Sequence, residues 1–161
     1  MKWTLSVLLI LFGFLNKCSE EVTGQELVRV HLGQEFTLEI NRTAGLSVPA
    51  NGQAADLKVH FGQLQDSRCP TDVNCITAGS AEITLTFHHP GGQSQVVSLC
   101  LGECAAGPGS ARGFRQEDKA EVPVGNETYD VLLKEVSPYP SGNQESAEQK
   151  KKRAVLLITR K

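Results

Sequence analysis

The residues with the clearest chemical potential lie in one short stretch that carries two of the five cysteines of the chain. Cys69 and Cys75 enclose five residues, a spacing at which a disulfide would close a tight loop. Asp66 and Arg68 precede the first cysteine, and Asp72 lies inside the loop. Because residues two apart in an extended segment project from the same side, Asp66 and Arg68 are predicted to lie together.

Two interpretations of these charged residues follow. In the first, Asp66, Arg68 and Asp72 form an exposed recognition loop beside a rigid disulfide, as an inhibitor of trypsin-like proteases would present an arginine. In the second, Asp66 caps the turn through backbone N–H groups, and Arg68 lies across the strand ends and donates hydrogen bonds to carbonyl oxygens. We favour the second.

The four cysteines from position 69 onward allow more than one pairing. Cys69 with Cys75 and Cys100 with Cys104 would close two small loops, and this pairing is favoured. A hairpin is predicted between the next two strands, and continuing its ladder outward brings Cys75 near Cys104. The pairing Cys75–Cys104 with Cys69–Cys100 therefore stays open. Disulfides of either kind are expected outside the cytoplasm.

The N-terminus predicts export and a membrane anchor. Lys2 precedes an apolar run at 3–15 that is too short to span a bilayer comfortably, so residues 1–17 are interpreted as a signal peptide. The segment that ends at Cys18 resembles a bacterial lipobox, in which the cysteine is acylated, and residues 18–25 would then be a lipidated tether. Removing Cys18 leaves four cysteines to pair. The alternative is ordinary secretory cleavage, with Cys18 discarded or left free.

The rest of the chain, residues 26–161, predicts a single all-β domain. The chain of 161 residues is 40% hydrophobic and 21% charged, which is enough apolar material for a core. Alternation is clearest at 81–88, where Ile83, Leu85 and Phe87 face one way. Seven or eight short strands separated by turn signals predict a small antiparallel β-sandwich or barrel-like domain with a disulfide-pinned loop.

Four local expectations refine this picture. Residues 27–32 and 35–40 are expected to form a first pair of strands. Residues 41–55 are expected to be a loop, because they are rich in Gly, Asn and Ala, and 102–113 are expected to be an exposed loop. Residues 154–159 are apolar on both faces, which suits a central position in a sheet.

Composition and motifs argue against several other classes of protein. A net charge of −2 does not indicate nucleic-acid binding. A metal site could combine His60 and His88 with Asp66 or Asp72, but no tight histidine spacing supports it. No Gly-x-Ser-x-Gly motif is present, and no free thiol remains once four cysteines are paired. No catalytic residue, metal or cofactor is predicted. The basic run 150–153 could attract anionic lipid or polysaccharide, although a solvated loop end is the ordinary explanation.

A resemblance to a known family rests on two signatures. They are the run Asp66-Ser67-Arg68-Cys69-Pro70 with Val73, Cys75, Ala78 and Gly79, and the later segments 129–133 and 136–140. Together they resemble a family of small exported bacterial proteins of unassigned function, many of them lipoproteins. Members usually carry Trp where this chain has Thr77. The resemblance implies the fold, export and the Cys69–Cys75 bridge, and it implies no activity.

These observations predict a non-enzymatic, membrane-tethered β-domain of the bacterial envelope that serves as a binding or structural module. It would be held at the outer membrane or the cell surface. Its partners would be membrane lipid, through the acyl anchor at Cys18, and an envelope protein. The main alternative is a protease inhibitor that presents Arg68 and the Cys69–Cys75 loop, and a metal-binding envelope protein is a third.

Overall fold

The structure is a computed structural model that describes residues 27–50, 53–107, 112–142 and 151–161. The predicted signal peptide (1–17) and the tether at 18–25, with Cys18, lie outside the described residues. The regular structure of the described residues is all β-strand. The strands are β1 (Val28–His31), β2 (Glu35–Glu39), β3 (Thr43–Ala50), β4 (Gln53–Asp66), β5 (Ser80–His88), β6 (Ser94–Cys104), β7 (Gly113–Arg115), β8 (Asp118–Val124), β9 (Glu127–Ser137) and β10 (Arg153–Arg160).

These ten strands form two sheets. The larger sheet has the order β1-β3-β4-β5-β6-β7, and the smaller has the order β2-β10-β9-β8. Within each sheet, neighbouring strands pair antiparallel, except that β1 pairs with β3 in parallel. The predicted all-β class with disulfide-pinned loops is confirmed, with the refinement that the larger sheet is mixed.

The inner faces of the two sheets share one hydrophobic core. On β5, Ile83, Leu85 and Phe87 are completely buried and alternate with more exposed residues. On β10, Leu156 and Ile158 are buried in the same way and belong to the same cluster. This alternation is what two sheets packed face to face require, because successive side chains of a strand point to opposite faces.

The start of the domain differs from the sequence prediction. Residues 27–32 and 35–40 were expected to pair with each other, but β1 pairs with β3 in the larger sheet and β2 pairs with β10 in the smaller one. The turn between them contains Gly33 with a φ of +81°, a backbone conformation that glycine adopts without strain. The chain therefore crosses from one sheet to the other within its first dozen described residues.

The expected loop at 41–55 is also wrong, because β3 and β4 form a hairpin there. Ala44 and Leu46 are completely buried at alternate positions of β3. Between them, a Cβ atom added to Gly45 would lie 2.6 Å from Leu27 Cδ2. The small residues of this segment thus allow neighbouring chain to pack closely on a strand, and they do not mark a loop.

Two further expectations fall at the end of β6 and at the C-terminus. The segment 102–113 was expected to be an exposed loop, but it contains the last three residues of β6, and its last residue begins β7; residues 108–111 lie outside the described residues. The prediction for 154–159 is confirmed, because β10 lies between β2 and β9.

Candidate functional site

Arg68 and Asp66 form a buried ion pair where β4 ends. Nε and Nη2 of Arg68 donate to Oδ1 and Oδ2 of Asp66 at 2.8 and 2.7 Å. This two-point geometry is the one in which a guanidinium binds a carboxylate most strongly. Each side chain is only 8% exposed. The predicted proximity of the two residues is therefore confirmed.

The same guanidinium connects the two sheets. Its Nη1 donates to the carbonyl oxygen of Val136 on β9 at 2.8 Å, and its Cζ lies 4.2 Å from the centre of the Tyr139 ring. Since β4 belongs to the larger sheet and β9 to the smaller, Arg68 bridges them. The prediction that Arg68 is an exposed recognition residue is wrong, because its side chain is buried and each of its three nitrogens donates a hydrogen bond. The carbonyl-binding interpretation describes it.

Lys152 adds a second cation to this cluster. Its Nζ lies 3.3 Å from Asp66 Oδ2 and donates to the carbonyl oxygen of Pro138 at 3.1 Å. Burial raises the pKa of Asp66, but the hydrogen bond and charge of Arg68, together with those of Lys152, outweigh it and hold the pKa below its ordinary value of 3.8. Asp66 is therefore ionised at neutral pH and pairs with both cations. One member of the basic run 150–153 thus has a role inside the structure.

A disulfide between Cys69 and Cys75 closes the loop that follows this ion pair. Their Cα atoms are 5.9 Å apart, within the range that a disulfide spans. The Cys69 N–H donates to the carbonyl oxygen of Ala78 at 2.8 Å, so the two ends of the loop are tied by backbone as well as by sulfur. The loop therefore projects from the end of β4 with a fixed base.

The outer part of the loop is attached to the chain that follows β9. The Thr71 N–H donates to the carbonyl oxygen of Pro140 at 3.2 Å. The Gly142 N–H donates to Oδ1 of Asp72 at 2.6 Å. The carboxylate of Asp72, which the sequence placed in a recognition loop, thus anchors that loop to a second segment.

Backbone segments approach so closely beside the loop that two glycines are required. Gly79 has a φ of +69°, and a Cβ atom there would lie 2.0 Å from the carbonyl oxygen of Ser67. Gly102 has a φ of +89°, and its Cβ would lie 2.4 Å from the carbonyl oxygen of Gly79. Only glycine fits both the left-handed conformation and the contact.

The second disulfide, between Cys100 and Cys104, lies within β6. Four residues of extended strand would separate their Cα atoms by about 13 Å, but the observed separation is 6.0 Å because the chain folds back at Gly102. The Cys100 N–H donates to Oδ2 of Asp118 at 2.9 Å, and the same oxygen pairs with Arg115 Nη1 at 3.3 Å. The structure thus contains the favoured pairing and not the cross-pairing.

An exposed apolar surface lies beside the Cys69–Cys75 loop. Six large apolar residues of the described chain are exposed, and four of them belong to this end of the domain. We call these four, Val73, Ile76, Phe114 and Tyr139, the apolar rim. Phe114 and Tyr139 line a cleft of about 260 Å³ together with Ala78, and Ile76 is fully exposed two residues before Ala78. Exposed apolar side chains that cluster in this way mark contact surfaces.

The histidines considered for a metal site have other partners. His60 Nδ1 lies 3.1 Å from the Thr43 hydroxyl oxygen, and His88 Nδ1 lies 2.9 Å from the Ser94 hydroxyl oxygen. Asp66, a suggested ligand, is bound to Arg68. Within 27–50, 53–107, 112–142 and 151–161, no three side chains of the metal-binding types come together.

No family model, curated protein or solved structure matches this chain. The resemblance to exported bacterial proteins therefore stays a prediction. In the part of the chain that the structure describes, no helix is long and apolar enough to cross a membrane.

Sequence reasoning identified the centre of this site but missed most of its surroundings. Val136 and Tyr139 contact Arg68 from about 70 positions away, and no local pattern records such a contact. Ile76 and Phe114 could have been recognised as exposed apolar residues, because each is isolated in a segment without strand alternation.

Replacement of Arg68 by alanine tests the bridge between the sheets. Arg68→Ala is expected to lower the free energy of unfolding by about 3–5 kcal/mol, because a buried carboxylate loses its main partner. Chemical denaturation measures the change. As a control, Arg160→Ala removes the more exposed Arg160–Glu127 pair and is expected to cost at most about 1 kcal/mol. Equal losses in the two variants would contradict a bridging role for Arg68.

Replacement of Gly79 by alanine tests the close backbone approach. Gly79→Ala is expected to destabilise the domain by about 3 kcal/mol or more, from the left-handed backbone together with the clash against Ser67. Gly92 has a similar φ of +83° but no atom within 4 Å of an added Cβ. Gly92→Ala should therefore show the backbone cost alone, about 1 kcal/mol. Thermal melts of the two variants give the comparison, and matching melting temperatures would rule out the clash.

Proposed function

We propose that this chain is a non-enzymatic binding module, tethered to the membrane in the bacterial envelope, that contacts an envelope protein through the apolar rim. The observation that carries the proposal is the rim itself. Most of the large exposed apolar side chains of the described residues gather at one end of the sandwich. Aromatic side chains such as those of Phe114 and Tyr139 are enriched at protein–protein contacts, where a few well-buried residues supply most of the binding energy.

Disulfides and hydrogen bonds hold the chain beneath the rim, which favours binding. Ile76 follows a loop that is closed by a disulfide and attached through Asp72 to Gly142. Phe114 lies on β7, which pairs with the disulfide-containing end of β6. A surface that is ordered before it binds loses little conformational entropy in the complex. The rim therefore presents its apolar groups already in place.

The cleft inside the rim offers a place for a side chain of the partner. Phe114 and Tyr139 form part of its wall, and Arg115 lies beside them. Aromatic rings and a neighbouring guanidinium are enriched at the centres of protein interfaces. An apolar side chain of the partner would pack between the two rings, with its polar groups towards Arg115.

Two observations support the proposed location. Both disulfides belong to the stable framework of the domain, and such bonds persist in oxidising compartments outside the cytoplasm. The lipobox-like segment that ends at Cys18 supports an acyl anchor, and attachment by two or three acyl chains is firm.

The ion cluster supports a structural role over a catalytic one. Asp66, Arg68 and Lys152 bind one another and nearby carbonyl oxygens, so they are committed to holding the sheets together. An inhibitor of trypsin-like proteases would need Arg68 to reach into the protease, and the buried guanidinium removes the feature on which that alternative was based.

Metabolic labelling with palmitate tests the tether. The mature protein should incorporate the label, and mass spectrometry of its first peptide should give Cys18 with attached acyl chains. The Cys18→Ala variant should incorporate none. An unlabelled protein whose mature N-terminus is another residue would contradict the tether.

Photo-crosslinking in the producing cells tests the rim. A crosslinker placed at position 76 should trap one envelope protein, and the double variant Ile76→Ser, Phe114→Ser should lower the yield of a crosslinker at position 73 by at least tenfold. Val96→Ser is the control, because Val96 is as exposed as Phe114 but lies at the other end of β6. A yield that falls equally in the control would contradict a rim-specific contact.

A further inference from the structure

A second cleft lies at an open side of the sandwich, where β1 and β2 form edges of the two different sheets. Its volume is about 580 Å³. It is lined by Leu27, Val28, Arg29, Thr37, Glu39, Arg42 and Arg153. We call it the arginine cleft. None of its residues belongs to the apolar rim.

The arginine cleft carries a positive charge contributed by separate parts of the chain. Arg29 lies on β1, Arg42 on the turn between β2 and β3, and Arg153 at the start of β10. Three cations against the single carboxylate of Glu39 leave a formal charge of +2. The Thr37 hydroxyl on β2 adds a neutral hydrogen-bond donor. Guanidinium groups bind phosphate oxygens by two-point hydrogen bonds, so this lining suits a phosphate group.

Two of these arginines are available to a ligand. Arg29 and Arg42 are exposed, and among the ion pairs of the described residues none includes either of them. The backbone around them is held in place: the Arg42 N–H donates to the carbonyl oxygen of Glu39 at 3.1 Å, and the Ile40 N–H donates to that of Lys152 at 2.9 Å. The cationic groups therefore project from a fixed frame.

The position of the cleft along the chain indicates where a phosphate would come from. Leu27 lines the cleft, and Cys18 precedes it by nine residues. Nine residues reach at most about 32 Å even when fully extended. An acyl chain on Cys18 would thus keep the arginine cleft within that distance of the bilayer surface, where phospholipid phosphates are the most abundant anions.

We infer that the arginine cleft binds the phosphate groups of anionic phospholipid headgroups and so turns this side of the sandwich towards the membrane. The inference rests on the proposed tether at Cys18. Each cation near an anionic membrane surface strengthens binding by about fivefold. Arg29 and Arg42 together should therefore raise the affinity for an anionic membrane surface by about 25-fold. The apolar rim, which lies elsewhere on the domain, would remain open to a protein partner.

Hydrogen–deuterium exchange of the natively processed protein tests the inference. The protein is reconstituted in vesicles of phosphatidylcholine, with or without 30 mol% phosphatidylglycerol. Peptides covering 27–42 are expected to exchange at least threefold more slowly in the anionic vesicles, and 0.5 M NaCl should abolish the difference. The double variant Arg29→Gln, Arg42→Gln should show no difference between the lipids. The double variant Lys58→Gln, Arg112→Gln loses the same charge at exposed positions outside the cleft and should behave as the unaltered protein does.

Three results would overturn the inference. The first is equal exchange of 27–42 in neutral and anionic vesicles. The second is an equal loss of protection in the two double variants, which would mean a general effect of charge. The third is full protection by millimolar inorganic phosphate in neutral vesicles, which would assign the cleft to a soluble anion. Failure of the tether is distinct from these, because it appears as absence of palmitate and of binding to neutral vesicles.

Discussion

The contact of Arg68 with Asp66 and with the Val136 carbonyl oxygen is the constraint on which this end of the sandwich depends. Elsewhere the sheets are held by apolar packing, which is strong but has little directional preference. A buried guanidinium is different, because it is costly unless it is paired with an anion and hydrogen-bonded. Here one edge binds Asp66, the remaining nitrogen binds β9, and the Tyr139 ring covers the face. These requirements fix how the ends of β4 and β9 meet.

The two disulfides hold the surface segments that lie next to this contact of Arg68. Ser67, Gly79 and Gly102 bring three backbone segments together with no side chain between them. The Cys69–Cys75 disulfide closes the loop beside these three segments, and the Cys100–Cys104 disulfide fixes the bend of β6 at Gly102. Each loop encloses so few residues that its disulfide contributes modestly to global stability. The greater effect is local, because the disulfides limit the conformations of the segments that bear the side chains of the apolar rim.

The sequence predicted those parts of the fold whose signals are local. The strands that became β5, β9 and β10 could be recognised because apolar residues alternate or run together in them. The hairpin of β3 and β4 was missed, because Ala44 and Gly45 are small for reasons of close packing and their composition resembles that of a loop. The proximity of Asp66 and Arg68 followed from their spacing, whereas the partner of Arg68 on β9 did not, since a contact across 68 positions leaves no periodic trace. The grouping of three arginines in the arginine cleft could not be predicted for the same reason, because they come from separate parts of the chain.

The parallel pairing of β1 with β3 has a mechanical consequence. A pull on the chain ahead of Leu27 acts along β1, so the four-residue ladder between Val28–His31 and Ala44–Ser47 is strained in shear, with its hydrogen bonds stretched together. An antiparallel hairpin pulled at its open end would instead unzip one bond at a time. Beyond that ladder the force reaches Gly33 and then β2, which belongs to the other sheet. Tension from an anchor would therefore load the larger sheet first, and it would reach the smaller sheet only after this ladder had opened.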